Sequence, residues 1–366
     1  MPGPLEGIRI LEFEAIGPGP YCGMLLADLG AEVLRVARPG AERGALIADI
    51  GGAVLHRGRP AITLDLKAPG DLDLARRLMA RADGLVEGLR PGAMEKLRLG
   101  PDEALALNPR LVYGRVTGWG QEGPLARTAG HDINYIALSG ALGAMGPPDR
   151  PPFPPLNLVG DFGGGGLWLG FGMLAALIEA GRTGQGQVVD AAMLDGAASQ
   201  MAMIYAWRAS GTWRDARGAN LLDGSAPFYR CHACADRRFV AVGAIEPQFF
   251  AALMEGLGLA GEGWEQTDRA RWPALAARIA EVFATRPRDE WAARFAGTDA
   301  CVTPVLGLDE APGHPHNRAR ATFTDQPARP AQPAPGPRFS GHALRVREEP
   351  TEPDANCEAV LARWGL

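Results

Sequence analysis

The residues best suited to acid–base chemistry lie in two short segments. His131 and Asp132 belong to the sequence Gly-His-Asp-Ile-Asn-Tyr at residues 130–135, which is predicted to begin a helix, and Asp161 precedes a run of four glycines. Imidazole and carboxylate groups are common proton-transfer groups in enzymes. The alternative is that both segments only cap helices, because Asp at a helix start accepts backbone hydrogen bonds. Four glycines exceed what a cap requires, and glycine lets a ligand approach the backbone closely.

Basic residues recur where predicted strands end. Because the loops after successive parallel strands gather at one edge of a sheet, such residues predict a site for an anionic ligand. Ordinary solvated surface charge is the alternative. The residues concerned are Arg35, Arg38, Arg57, Arg59, Lys67, Arg90 and Lys96.

A glycine-rich turn at residues 17–23 has the setting of a dinucleotide-binding loop, since it follows a predicted strand and precedes a predicted helix. Its glycines are spaced G-x-G-x-x-x-G, which differs from the dinucleotide pattern. Pro18 and Pro20 also lack the amide hydrogens that a pyrophosphate-binding loop donates. Nicotinamide binding stays open as an alternative. The Cys-x-x-Cys pair at 231–234 and the His-x-His pair at 314–316 lack the further ligands of a zinc site, so no metal is expected.

The first 190 residues alternate between strand and helix patterns. Helices are predicted at residues 21–29 and 72–82. Such alternation predicts an α/β fold in which helices cover a parallel sheet. The predicted strands are residues 8–13, 31–36, 61–66, 84–87, 111–117 and 187–190.

The pattern changes beyond residue 224. Residues 228–231 and 238–244 predict an antiparallel hairpin, and the helices at 247–257 and 272–283 follow it. This part is therefore predicted to be a smaller α+β domain. The resulting domain organisation is a large domain at 1–190, a helical linker at 191–224 with a long helix at 194–210, a small domain at 225–324 and a proline-rich linker at 325–337.

Composition and charge argue against several functional classes for this protein. Lys plus Arg is 37 and Asp plus Glu is 42, which gives a net charge of −5. A nucleic-acid or anionic-membrane binder would be expected to show a basic excess. The five cysteines are odd in number and scattered, and the first residues lack a signal-peptide pattern, so we expect a cytoplasmic protein. Apolar residues 162–178 include six glycines and predict a buried helix rather than a membrane span.

At residues 130–135 and 159–165 the sequence resembles the family III CoA-transferases. The likeness runs almost to the end of the chain and includes Leu-Asp-Leu-Lys at 64–67 and the segments at 87–92 and 184–190. Within this family, the first of these segments is similar to that of the racemases.

The resemblance implies a Rossmann-like large domain, completed by residues 338–366, and a small domain, in two interlocked chains. The active site would lie between the large domain of one chain and the small domain of the other. The implied activity is epimerisation of 2-methylacyl-CoA thioesters at C2, a reaction of fatty acid and lipid metabolism. No cofactor is implied, because coenzyme A is part of the substrate.

The resemblance also implies residue roles. His131 and Asp161 would be the catalytic bases, and Glu246 would support the imidazole. Contacts with CoA would come from Arg38, Leu64, Asp65, Leu66, Lys67, Gly88, Leu89, Arg90, Lys96, Gly130, Asp132, Ile133, Asn134 and Tyr135.

Two bases on opposed faces are what inversion at C2 requires, because one removes a proton while the other returns one to the resulting enolate. Backbone amides at the helix start beside Asp161 would hold the enolate oxygen, and the glycine run would make room for the thioester. One alternative is CoA transfer, with Asp161 as the nucleophile that forms an acyl anhydride. Another is a CoA or nucleotide sensor, which would not need His131 or Asp161.

Overall fold

The structure is a computed structural model and describes residues 3–40, 52–324, 331–350 and 352–366. The chain divides into two compact units. The first comprises Met1–Ala141, Pro155–Ala202 and Phe323–Leu366, and the second comprises Leu142–Pro154 and Met203–Thr322. Residues 325–330 of the predicted proline-rich linker lie outside the described residues.

The first unit is built on a six-stranded sheet in which every neighbouring pair is parallel. The strand order is β3-β2-β1-β4-β5-β6. The strands β2 and β3 are therefore added on one side of β1, and β4 to β6 are added on its other side. The predicted α/β class and parallel sheet are therefore confirmed. The strands are β1 Arg9–Phe13, β2 Glu32–Ala37, β3 Ala61–Thr63, β4 Gly84–Glu87, β5 Val112–Thr117 and β6 Val188–Ala192.

Helices cover both faces of this sheet, as a parallel sheet requires. One apolar cluster joins Leu34 and Met79 to Trp364 near the C-terminus, and the other joins Val33 to Met173. The C-terminal segment thus supplies part of the core of this unit. The helices are α1 Pro18–Asp28, α2 Gly52–Leu55, α3 Pro69–Met79, α4 Ala93–Lys96, α5 Pro101–Leu107, α6 Asp132–Leu138, α7 Trp168–Thr183, α8 Met193–Gln200 and α14 Cys357–Arg363.

A π-helical segment, Leu158–Leu167, continues directly into α7. Together they form a continuous apolar helix, Leu158–Thr183, whose 26 residues are enough by length and composition to cross a membrane. On one side of α7, Leu169 and Met173 are fully buried beside β5. The expectation of a buried helix is met on this side only, because Leu167, Phe171 and Ile178 on the other side are exposed.

The second unit is built on a three-stranded antiparallel sheet of order β7-β8-β9, with strands Tyr229–Ala233, Phe239–Gly243 and Val302–Pro304. The predicted hairpin is confirmed, but prediction missed β9, because three residues are too few to form a recognisable alternating pattern. The predicted helix at 194–210 is wrong as a single helix, since α8 ends at Gln200 and α9 begins at Ala202. The helices are α9 Ala202–Ala209, α10 Pro247–Leu257, α11 Trp272–Phe283, α12 Arg288–Phe295 and α13 Pro315–Ala319.

Candidate active site

A cleft of about 540 Å³ lies at the carboxyl edge of the parallel sheet in the first unit. Its walls come from the loops that follow four strands: Ala15 after β1, Arg38 after β2, Leu89 after β4 and Gly118 after β5. The order of the sheet reverses between β1 and β4, and the loops that leave such a point diverge to form a crevice. The fold therefore explains the position of the cleft.

The structure brings eight of the predicted site residues together in this cleft. They are Arg38, Gly88, Leu89, Arg90, Gly130, His131, Tyr135 and Asp161. The other predicted CoA contacts do not line it, and their roles stay predictions. Leu64 is buried in the core, Asp132 is buried, and Asp65, Leu66, Lys67, Lys96, Ile133 and Asn134 are at least partly exposed.

His131 immediately precedes α6 and is exposed. Its backbone N–H donates to Asn134 Oδ1 at 3.0 Å, which fixes the start of the helix. The Tyr135 hydroxyl donates to the Gly130 carbonyl, and the Tyr135 ring meets Trp119 edge to face at 4.8 Å. Hydrogen bonds on both sides of His131 therefore fix the backbone that bears the imidazole.

Asp161 lies in the first turn of the π-helical segment and is half-buried. Its Oδ2 accepts a hydrogen bond from the Asn157 side-chain amide at 3.2 Å. Burial, and then the negative charge of Asp132, raise the pKa of Asp161, whereas Asn157 and a charged His131 oppose the rise. A carboxylate whose pKa is raised towards neutrality is a stronger general base than a solvated one.

The carboxylate of Asp132 points at the backbone of the same turn. Its Oδ2 accepts the Asp161 N–H at 2.7 Å. The Asp161 amide is therefore not free to hold an enolate oxygen, because its N–H already donates to the Asp132 carboxylate.

The run of four glycines does not serve to admit a ligand. A Cβ at Gly164 would lie 2.7 Å from the Ala197 nitrogen of α8, and a Cβ at Gly166 would lie 2.6 Å from the Pro18 oxygen of α1. No real side chain tolerates such distances to backbone atoms. The glycines therefore allow the π-helical segment to pack directly against α1 and α8, which corrects our sequence-based interpretation.

Glu246 lies in the second unit, where it is exposed and immediately precedes α10. His131 and Asp161 lie in the first unit. The predicted support of His131 by Glu246 stays a prediction.

Sequence reasoning gave no role to Asn157 or Trp119. Asn157 is four residues before Asp161, a spacing that brings side chains together on a helix and that could have indicated the contact. Trp119 lines the cleft, and its buried Nε1 has no hydrogen-bond partner in the part of the chain that the structure describes. Nothing in the local sequence indicates that feature.

Comparison with known proteins identifies the family of the chain. The model of CoA-transferase family III matches residues 5–357. The chain is 48% identical over 337 residues to the alpha-methylacyl-CoA racemase of Mus musculus, covering 92% of this chain and 86% of that protein. It is 45% identical over 334 residues to the alpha-methylacyl-CoA racemase of Homo sapiens, with coverage of 91% and 86%. The crystal structure of a CAIB/BAIF family protein from Brucella suis superposes with a TM-score of 0.85 at 26% identity, covering 100% of both chains.

Proposed function

Because the chain belongs to CoA-transferase family III, we propose that it is an isomerase that epimerises 2-methylacyl-CoA thioesters at C2, with His131 and Asp161 as the two bases. The observation that carries this proposal is that an imidazole and a carboxylate from distant parts of the sequence line one cleft. The high identity to two alpha-methylacyl-CoA racemases supports the choice of substrate class.

In the proposed mechanism, one base removes the C2 proton and leaves an enolate. The other base, protonated, then delivers a proton to the opposite face, and the roles reverse for the other enantiomer. In one direction His131 is the base and the Asp161 carboxylic acid is the donor. The raised pKa of Asp161 suits this exchange of roles, because it lessens the free-energy gap between its two protonation states at neutral pH.

The arginines at the rim of the cleft suit the CoA part of the substrate. Arg38 and Arg90 are exposed and lie in the loops after β2 and β4. Guanidinium groups bind phosphate oxygens through charge-assisted hydrogen bonds, so we propose that they bind the phosphates of CoA. The reaction as proposed needs no metal and no second cofactor, since the thioester itself makes the C2 proton acidic.

CoA transfer is the second candidate, and the family itself favours it. There the Asp161 carboxylate would attack the thioester carbonyl, which forms an acyl anhydride and releases CoA thiolate. That reaction uses Asp161 as a nucleophile and does not require His131 as a base. The presence of His131 beside Asp161 in the cleft is the reason that we place epimerisation first.

We also propose a cytoplasmic homodimer as the working form. Leu167, Phe171 and Ile178 are 54%, 67% and 65% exposed, and their spacing places them on one side of the helix that includes α7. An exposed apolar stripe is typical of a surface that binds another protein. The five cysteines are all free, which suits a reducing compartment.

Incubation of one enantiomer of a 2-methylacyl-CoA in heavy water tests the proposed activity. We expect deuterium at C2 and both enantiomers as products, with no acid acceptor, added metal or nucleotide. If CoA moves between acids and label enters only when a free acid is present, the transferase candidate replaces epimerisation. If the protein binds acyl-CoA but neither reaction occurs, it is a sensor.

A further inference from the structure

Asp132 is a buried carboxylate that directly follows His131 in the sequence. It is 6% exposed, and its Oδ1 has no hydrogen-bond partner within the described ranges. Burying an ionised carboxylate is unfavourable unless hydrogen bonds compensate it. Its compensation comes from the backbone amide of Asp161, whose N–H donates to Asp132 Oδ2 at 2.7 Å.

The sequence at position 160 permits this contact. A Cβ on Gly160 would lie 2.5 Å from Asp132 Oδ2, which is closer than any real Cβ contact. Only glycine there lets the carboxylate reach the backbone of the turn. The Asp132 side chain thus links the start of α6 to the π-helical turn about 30 residues later. It can reach that turn because Gly160 has no Cβ.

We infer that Asp132 is a positioning residue: it holds the backbone of Gly160 and Asp161 and thereby fixes the Asp161 carboxylate relative to His131, its own neighbour in sequence. This inference rests on the proposed function, in which those two side chains act on opposite faces of C2. Proton transfer depends steeply on distance and direction, so a shared anchor for both bases preserves their separation.

The negative charge of Asp132 also has a measurable effect on the pKa of Asp161. The charged groups that shift the pKa of Asp161 are Asp132 and His131 at the start of α6, and Asp161 in turn raises the pKa of Tyr135 one turn later. Among them, Asp132 raises the pKa of Asp161. Replacing Asp132 by the neutral asparagine therefore lowers the pKa of Asp161, in addition to loosening the turn.

The central variant is Asp132→Asn, which keeps the size of the side chain. We expect kcat to fall on the order of 10- to 100-fold with KM for acyl-CoA little changed, because positioning and not binding is lost. Exchange of the C2 proton that Asp161 removes should fall much more than exchange of the proton that His131 removes. The acidic limb of the pH profile, where Asp161 becomes protonated, should move to lower pH.

Two further variants serve as comparisons. Gly160→Ala breaks the same contact from the other side, so its effect and that of Asp132→Asn should be strongly non-additive in the double variant. Asp73→Asn removes an exposed carboxylate on α3 that has no hydrogen bond or ion pair within the described residues, and it should change neither the rates nor the pH profile.

The outcomes separate this inference from the proposed function. Equal loss of both exchange rates with an unshifted pH profile, or full activity of Asp132→Asn, would overturn the positioning role. If the wild-type protein transfers CoA and does not epimerise, the proposed function fails. The anchor is then tested by the rate at which Asp161 forms the anhydride, which should fall in Asp132→Asn and Gly160→Ala but not in Asp73→Asn.

Discussion

The side-chain amide of Asn157 donates to Asp161 Oδ2 across 3.2 Å, and this bond opposes the rise in the Asp161 pKa that burial causes. The bond stabilises the carboxylate form. Asn157 therefore sets the lower end of the pH range in which Asp161 can accept a proton.

Replacing Asn157 by leucine removes that bond, so we expect the pKa of Asp161 to rise further. Activity in the direction in which Asp161 is the base should then be lost at a higher pH than in the wild type. The measurement is kcat/KM against pH for each enantiomer. An acidic limb that does not move would show that Asp161 is not the group that titrates there.

Loss of either base should stop racemisation but should not stop all proton exchange. His131→Ala keeps Asp161, which can still remove and return the proton on its own face, and Asp161→Ala keeps exchange on the opposite face. Deuterium uptake, followed by mass spectrometry for each enantiomer separately, measures this difference. Equal exchange of both enantiomers by His131→Ala would contradict a role for His131 as a base.

Arg90→Gln should raise KM for acyl-CoA by about 10- to 100-fold with little change in kcat, because one charge-assisted hydrogen bond to phosphate is lost. Arg77→Gln is the matched control, since Arg77 is exposed on α3 and does not line the cleft. Initial rates at several substrate concentrations give both constants. A change in kcat alone would place Arg90 nearer the reacting atoms.

Arg115→Met should reduce stability strongly. The Arg115 guanidinium bonds Glu87 Oε1 and Glu95 Oε1, each at 2.7 Å, and Glu87 is 0% exposed. Removing the arginine leaves a buried carboxylate unpaired, which costs about 3–5 kcal/mol. Urea denaturation measures the loss. Arg286→Met, which breaks an exposed pair with Glu290, should cost less than about 1 kcal/mol.

The proposed dimer predicts that Phe171→Asp shifts the protein towards monomer, because a charge enters the exposed apolar stripe on α7. Leu308→Asp is the control, since Leu308 is 95% exposed but lies in the second unit. Sedimentation velocity over a range of concentrations measures the association. An active monomeric wild type would exclude the interlocked dimer.

Much of the fold follows from patterns in the sequence. The alternation of strands and helices predicted the parallel sheet, because buried strands and amphipathic helices have different periods. The helices Pro247–Leu257 and Trp272–Phe283 were predicted with their observed bounds. The strand β9 and the break between α8 and α9 were missed, because short elements are decided by the neighbours on which they pack.

For the site too, the sequence determined some features and the tertiary structure decided others. The residue types of His131 and Asp161 suit proton transfer, and the resemblance to the family III CoA-transferases implied them as the candidate bases. Only the tertiary structure decided that Asp132 occupies the Asp161 amide and that the glycine run packs against α1 and α8. The physical reason is that residue chemistry and periodicity are local properties, whereas a donor's choice of acceptor depends on distances between segments far apart in the chain.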